Sequence, residues 1–177
     1  MPAWVDEVLS LSLALTQPQL LGLAFLLGSF AVASLSDLKR LSAQREFLEV
    51  WILFTLGVLA YDGITLWQAG WQLWPVAVAK WTAIAVLGAL SWERVGAVFS
   101  LARADVWACT AAASLLSPLL VLGFWLVLKL VAGGLRPLLA RGAGPWPFMP
   151  VVTLSVVLVG LGGMLAPGGN LALFGWL

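Results

Sequence analysis

Residues 18–36 read PQLLGLAFLLGSFAVASLS, a stretch without a single charged side chain. A helix needs about 20 predominantly apolar residues to cross the hydrocarbon core of a bilayer. This stretch therefore predicts a membrane-spanning helix. Three further segments predict spanning helices, although isolated charges interrupt two of them: Phe47–Trp67, about Leu73–Trp92, and Phe148–Ala166.

The composition of the whole chain agrees with this prediction. Of its 177 residues, 62% are hydrophobic and 10% are charged, whereas an average soluble domain carries roughly 25% charged residues. So few polar groups cannot cover a water-facing surface, which excludes soluble globular, disordered and nucleic-acid-binding proteins. We expect an all-α, polytopic integral membrane protein with one membrane-embedded domain over residues 1–177. Residues 1–16 lack the basic start of a cleavable signal, so we expect them to be an interfacial lead-in.

The number of spanning helices depends on residues 104–135. They form either one helix or two shorter helices broken at Ser117–Pro118, because proline cannot continue the helical hydrogen bonds. Lys and Arg collect in cytoplasmic loops, and two helices place eight of the nine basic residues there. We therefore predict six transmembrane helices with the N-terminus outside. Residues 133–134 and 141–147 are predicted to form a flexible cytoplasmic connection, because they are rich in glycine and proline.

The residue types that the sequence lacks limit its chemistry. It contains no histidine and one cysteine, Cys109. This excludes Ser-His-Asp triads, Cys-His dyads, histidine-ligated metals and disulfides within the chain. We expect Cys109 to be a packing residue, and we expect no cofactor, no metal and no nucleic-acid partner. Acid–base chemistry must rest mainly on the eight carboxylates: Asp6, Glu7, Asp37, Glu46, Glu49, Asp62, Glu93 and Asp105.

Two of these carboxylates lie where predicted helices meet the cytoplasmic edge of the membrane. Asp37 ends the first helix and Asp105 opens the fourth. Two carboxyl groups held close together share a proton, so that one acts as a general base and the other as a general acid. Such a pair can hydrolyse a peptide bond without histidine, cysteine or metal. The alternative is that Asp37 is an interfacial charge or cap, and that Asp105 is a helix-start carboxylate favoured by the macrodipole.

Other charged residues are predicted to have structural roles. We expect Glu46 and Glu49 to lie in a solvated turn and Glu93–Arg94 to be a loop pair. Lys80 interrupts an otherwise apolar segment, so we expect its side chain to extend outward toward the membrane surface.

Three short stretches follow one another in an order known from one family. Ser36-Asp37-Leu38-Lys39 ends the first predicted helix, residues 96–106 (GAVFSLARADV) precede an apolar helix, and residues 147–150 (PFMP) precede the last helix. They resemble the first catalytic motif, the Gly-x-Gly-Asp motif and the Pro-Phe-x-Pro element of the type IV prepilin peptidase family. The short archaeal preflagellin and prepilin peptidases are the most similar members. The resemblance extends from about Leu20 to Gly160.

This resemblance implies a membrane-embedded aspartic endopeptidase in the plasma membrane, with its active site facing the cytoplasm. Asp37 and Asp105 would be its two catalytic residues, and no cofactor is implied. The implied substrates are pilin-like or archaellin precursor proteins. Enzymes of this family remove a short basic leader from them, just before the hydrophobic segment that lies in the bilayer.

The chain departs from the family at the second motif. Ala102 and Ala104 stand where the family has glycines, and alanine is strained at a position with φ above zero. Arg103 lies between them and is expected to favour the ionised form of Asp105. Two alternatives to a peptidase follow. One is a catalytically inactive relative that acts as a membrane assembly or scaffold protein, and the other is a small transporter in which Asp105 pairs with Lys80.

Overall fold

The computed structural model describes residues 15–40, 45–68, 74–140 and 146–165. These residues form six α-helices and no β-sheet, so the prediction of an all-helical chain is confirmed for this part of the protein. The predicted lead-in lies outside the described residues except for its last two positions. The helices are α1 (Gln17–Arg40), α2 (Arg45–Gln68), α3 (Trp74–Ser91), α4 (Arg103–Ser114), α5 (Pro118–Leu139) and α6 (Met149–Leu165).

Four of the six helices, α1, α2, α3 and α5, are long and apolar enough to cross a membrane by length and composition. The helix α6 is apolar but has 17 residues. With 12 residues, α4 is about 18 Å long, whereas the hydrocarbon core is about 30 Å thick. The structure therefore contains the six predicted helices, of which four have the dimensions of a complete span.

The helical segment is interrupted between α4 and α5, at the position that Pro118 predicted. Leu115 and Leu116 close the end of α4 with hydrogen bonds to carbonyls three residues earlier. The Ser117 hydroxyl accepts a hydrogen bond from the Leu120 amide at 3.4 Å, and Pro118 occupies the first position of α5. Proline suits that position because its fixed φ fits a helix and its missing N–H would be unpaired there. The choice of two helices is confirmed.

The prediction of a flexible connection at residues 133–134 is wrong. Both glycines lie within α5, which continues past an internal Pro137 to Leu139. In an apolar setting an open backbone costs several kcal/mol per unpaired polar group, so the helix continues through residues that would end it in water. Of the remaining part of that prediction, residues 141–145 lie outside the described residues, and residues 146 and 147 lie just before α6 and outside any helix.

The short helix α4 lies at the centre of the bundle and contacts all five of the other helices. Small side chains line it and allow close backbone approach. The buried ones are Ala108, Cys109, Ala111, Ala112, Ala113 and Ser114. The helices α1, α6, α5 and α3 pack side by side around it, and α2 is joined to α1 by a hydrogen bond from the Trp51 indole to the Ser29 hydroxyl at 3.1 Å. Cys109 is thus buried in the packing, as expected.

Candidate functional site

Asp37 lies in the last turn of α1 and is bound to the first turn of α6. Its carboxylate accepts a hydrogen bond from the Met149 amide at 3.0 Å, and the Phe148 amide also donates to it. These amides would otherwise be unpaired at the helix start, where the macrodipole favours a negative charge. Only 7% of Asp37 is exposed. The interaction fixes the position of the carboxylate and joins residues 112 positions apart.

Asp105 lies in the first turn of α4, outside the four long apolar helices. Burial, and to a smaller extent the negative charge of Asp37, together raise the pKa of this carboxyl to about 7. Two unlike causes thus favour the protonated form of Asp105. The influence of Asp37 places the two carboxyl groups within electrostatic reach of each other.

The two aspartates line one cavity, called here the carboxylate cavity, with a volume of about 610 Å³. Its other charged lining residues are Glu93, Lys129 and Arg136. The structure therefore brings Asp37 and Asp105 together at the end of the bundle where α1 ends and α4 begins.

The alanines of the second motif cause no backbone strain. Ala102 is extended, with φ −62° and ψ 156°, and Ala104 lies in the first turn of α4. The left-handed conformation that glycine favours occurs instead at Gly96, with φ +62°. The condition for strain at Ala102 and Ala104, a φ above zero, is therefore not met in this chain.

The predicted effect of Arg103 on Asp105 is also wrong. Arg103 lines a second cavity, formed by α2, α3 and α4, that does not include Asp105. Residues two apart on a helix do not face each other, so the guanidinium and the carboxyl lie on different sides of α4. Accordingly the pKa of Asp105 is raised rather than lowered.

The segment between α3 and α4 forms one wall of the carboxylate cavity. Its two ends pair, with the Glu93 amide donating to Leu101 O at 3.0 Å and the Leu101 amide donating to Ser91 O at 2.9 Å. Lys129 on α5 donates to Val98 O at 2.6 Å and lies 4.8 Å from the centre of the Phe99 ring. The segment is therefore fixed at both ends and in its middle.

Aromatic rings extend this wall toward the start of α6. The Phe148 ring lies 5.6 Å from the rings of both Phe99 and Trp146, in edge-to-face geometry. All three residues line the carboxylate cavity. The cavity thus combines an apolar, aromatic wall with a few convergent polar groups, as ligand-binding sites commonly do.

Sequence reasoning missed several residues of this site. Glu93 borders the cavity, while Arg94 stacks on Trp92 with its guanidinium carbon 4.7 Å from the ring centre. For Lys129 the sequence predicts a cytoplasmic basic residue and a weaker candidate for acid–base chemistry, but not a position in this wall. The role of the Phe148 and Met149 amides could have been predicted from the proline-containing start of α6. The first amides of a helix need acceptors from outside the helix.

Other predicted positions do not belong to the site. Glu46 and Glu49 are exposed on the first turns of α2, rather than in a turn before it, and do not line the carboxylate cavity. Lys80 does not extend outward. It is 12% exposed and forms an ion pair with Asp62 at 2.7 Å, so the Asp105–Lys80 pair of the transporter hypothesis is not formed.

Asp62 also accepts a hydrogen bond from the Trp81 indole at 2.9 Å. A lysine in an apolar segment is costly unless it is paired, which explains why Lys80 turns to this carboxylate. Among the described residues no group of three or more potential metal ligands is present.

The chain was compared with known protein families, with curated proteins and with solved structures, and none of them matches. An account of its function therefore rests on the geometry and chemistry of the carboxylate cavity.

Proposed function

We propose that the protein is a membrane-embedded aspartic endopeptidase in which Asp37 and Asp105 act as a pair. The observation that carries this proposal is that two carboxyl groups, 68 positions apart in the sequence, line one cavity at the end of the bundle. Structural roles would explain Asp37 as a cap and Asp105 as a helix-start carboxylate one at a time, but they do not require that both carboxyl groups line the same cavity.

The surroundings of the two carboxyl groups assign them different roles. Asp37 is also buried, but its carboxylate accepts a backbone N–H at a helix start, which stabilises the charged form, so we assign the ionised role to Asp37. It would take a proton from water as that water attacks the scissile carbonyl carbon. Asp105, with a pKa of about 7, would donate its proton to the carbonyl oxygen.

The resulting tetrahedral diol then collapses as the C–N bond breaks. Asp37 passes its proton to the departing amine and Asp105 recovers a proton from the diol hydroxyl. The cycle consumes one water molecule, releases one carboxyl and one amine terminus, and leaves both aspartates as they began.

The substrate we propose is a pilin-like or archaellin precursor with a short basic leader, cut on the cytoplasmic side of the plasma membrane. Two features support this. The cavity lies at the end of the long apolar helices, where a polar leader meets an apolar helix. Glu93 adds a third carboxyl to a lining that also holds Lys129 and Arg136, and a carboxylate there can pair with a basic residue of the leader.

The test is leader removal in membranes that contain the full chain and a precursor with a basic leader and an apolar segment. We expect D37N and D105N each to abolish processing, by at least about 100-fold, because neither proton transfer can be completed. The matched control is E46Q, which removes an exposed acid outside the cavity and should process at the wild-type rate.

Protein abundance and membrane insertion are measured in parallel for all variants by immunoblotting of washed membranes. Processing by either Asn variant at a rate near that of wild type contradicts the proposal. A wild-type chain that cuts no precursor of this class, while remaining inserted, favours the inactive assembly or scaffold protein instead.

A further inference from the structure

A second cavity lies on the other side of α4 from Asp105. It has a volume of about 670 Å³ and is lined by α2, α3, α4 and the start of the segment that follows α3. Arg94 and Arg103 lie at one end of it, and we call it the arginine groove. Its apolar part is lined by residues that include Leu56, Leu59, Ile84, Ala85 and Gly88.

The arginine groove has a net positive charge at that end. Both arginines are exposed, and in residues 15–40, 45–68, 74–140 and 146–165 neither forms an ion pair. Glu93 is the one carboxylate that borders the groove, and it also borders the carboxylate cavity. Two guanidinium groups against one carboxylate leave an excess of donors suited to an oxyanion.

Trp92, at the same end of the groove, also favours the binding of an anion there. Arg94 lies over the Trp92 ring at 4.7 Å, which holds the guanidinium in a defined position. The indole nitrogen of Trp92 is buried and has no hydrogen-bond partner among the described residues. A buried N–H without an acceptor costs about 1–3 kcal/mol, and an anion would gain this donor once the side chains that cover it move aside.

The remainder of the groove is apolar and lies between two of the helices that are long enough to span a membrane. Leu56, Leu59 and Ala85 line it and are exposed on the outer surface of the bundle. A ligand that fits both parts has an anionic head and a hydrocarbon chain. A soluble anion would leave the apolar part unfilled, and an apolar helix would leave the arginines unpaired.

We propose that the arginine groove binds an anionic phospholipid, with its phosphate between Arg94 and Arg103 and an acyl chain along α2 and α3. Basic pockets between transmembrane helices near one membrane face are typical of anionic lipid recognition. The proposal does not depend on peptidase activity, because none of the proposed catalytic carboxylates lines the groove.

The test is native mass spectrometry of the purified full chain with phosphatidylglycerol or phosphatidylcholine carrying the same acyl chains. We expect wild type to retain phosphatidylglycerol selectively. Near a membrane each basic residue contributes about 1 kcal/mol to binding an anionic lipid, so R94Q/R103Q should bind it roughly 30-fold more weakly. K39Q, which removes an exposed charge that lines neither cavity, should bind as wild type does.

A second variant tests the acyl-chain part of the groove without altering its charge. A85F places a ring in the apolar part and should lower phosphatidylglycerol retention while both arginines remain. Circular dichroism of each variant checks that the helices are intact. If R94Q/R103Q does not fold, the proposal is decided by A85F alone: reduced phosphatidylglycerol retention supports it, and retention equal to wild type overturns it.

Three outcomes overturn the proposal. The first is phosphatidylglycerol retention by A85F, or by a folded R94Q/R103Q, that equals wild type. The second is thermal stabilisation by inorganic phosphate equal to that by the lipid, which assigns the groove to a free anion. The third is a groove covered by a second copy of the chain, seen as a dimer that A85F dissociates and that retains no lipid.

Discussion

Asp37 and Asp105 border the same cavity but have different electrostatic surroundings. Asp37 is bound by amides at the start of α6, whereas the raised pKa of Asp105 results first from burial and then from the charge of Asp37. A pair of acids performs general acid–base chemistry when its surroundings make one member hold the proton and the other release it. The surroundings of Asp37 and Asp105 therefore differ in the way that a general acid–base pair requires.

The pKa of Asp105 predicts how activity depends on pH. A carboxyl with a pKa of about 7 keeps its proton below that value and loses it above, so the pair shares one proton below about 7 and none well above it. We expect the rate of leader removal to fall as the pH rises through about 7. Infrared difference spectra should show a protonated carboxyl band that disappears over the same range and is absent in D105N.

A pH profile that stays flat through neutrality contradicts this assignment, as does a carboxyl band that D105N retains. If the rate and the carboxyl band change over the same pH range, the cause is deprotonation of Asp105. A general loss of stability would lower the rate without removing this band. E46Q is again the control, since its carboxyl lies outside the cavity.

The sequence predicted that both aspartates lie at helix ends, where hydropathy changes sharply, and the structure has them there. Their assignment as a catalytic pair was implied by the resemblance to the prepilin peptidase family and stays a prediction. Sequence reasoning failed for Arg103, although the helical period already places residues two apart on different faces. Glu93 and Lys129 could not be found in this way. Their positions depend on how the segment after α3 folds back on itself through Ser91 and Leu101, and no local pattern encodes that pairing.

Among the elements, α4 determines whether the two carboxyl groups meet. It is too short to span a bilayer, yet it contacts every other helix through small buried side chains. The proline that predicted its end was a reliable signal, because the steric effect of proline is local. The central position of α4 was not predictable, since an alanine-rich sequence allows close packing without specifying the partner.

This packing predicts that α4 does not tolerate a larger side chain. Ala112 is fully buried at 0% exposure, so A112L should lower the free energy of unfolding by about 1–3 kcal/mol through overpacking. Leucine has almost the same helix propensity as alanine, so a change in helix propensity would not explain the loss of stability. Thermal denaturation in detergent micelles measures the change.

The matched control is A60L, which makes the same substitution on the exposed face of α2. We expect A60L to melt within a degree or two of wild type, because surface changes usually alter stability by less than about 0.5 kcal/mol. If A112L is as stable as A60L, α4 is not packed at the centre of the bundle as described.

On the scale of the whole molecule, the two ends of the bundle have different chemistry. One end holds the carboxylate cavity and the arginine groove, whereas the other holds the Asp62–Lys80 ion pair. Hydropathy predicted the helical class and four of the helices, because apolar length is a property of the sequence alone. The division of residues 104–135 into two further helices was predicted from Pro118 and from the distribution of basic residues. Hydropathy left the two cavities undetermined, since each is formed by side chains from three or more separate segments.

The positions of the basic residues indicate which end of the bundle we expect to face the cytoplasm. Of the described basic side chains, Lys80 belongs to the end away from the carboxylate cavity and is neutralised by Asp62. Arg94, Arg103 and Arg136 lie along the two cavities of the other end. By the preference of basic residues for the cytoplasmic side, that end is the one we expect to face the cytoplasm.

The central claim is that Asp37 and Asp105 act as a single unit that hydrolyses a peptide bond. The most direct test is the rate constant of leader removal for purified wild type, D37N, D105N and D37N/D105N with one precursor. Residues that act as a unit are strongly non-additive, so we expect each single variant to lose as much activity as the double variant. Substantial leader removal by either single variant, or independent losses that multiply in the double variant, would contradict the account.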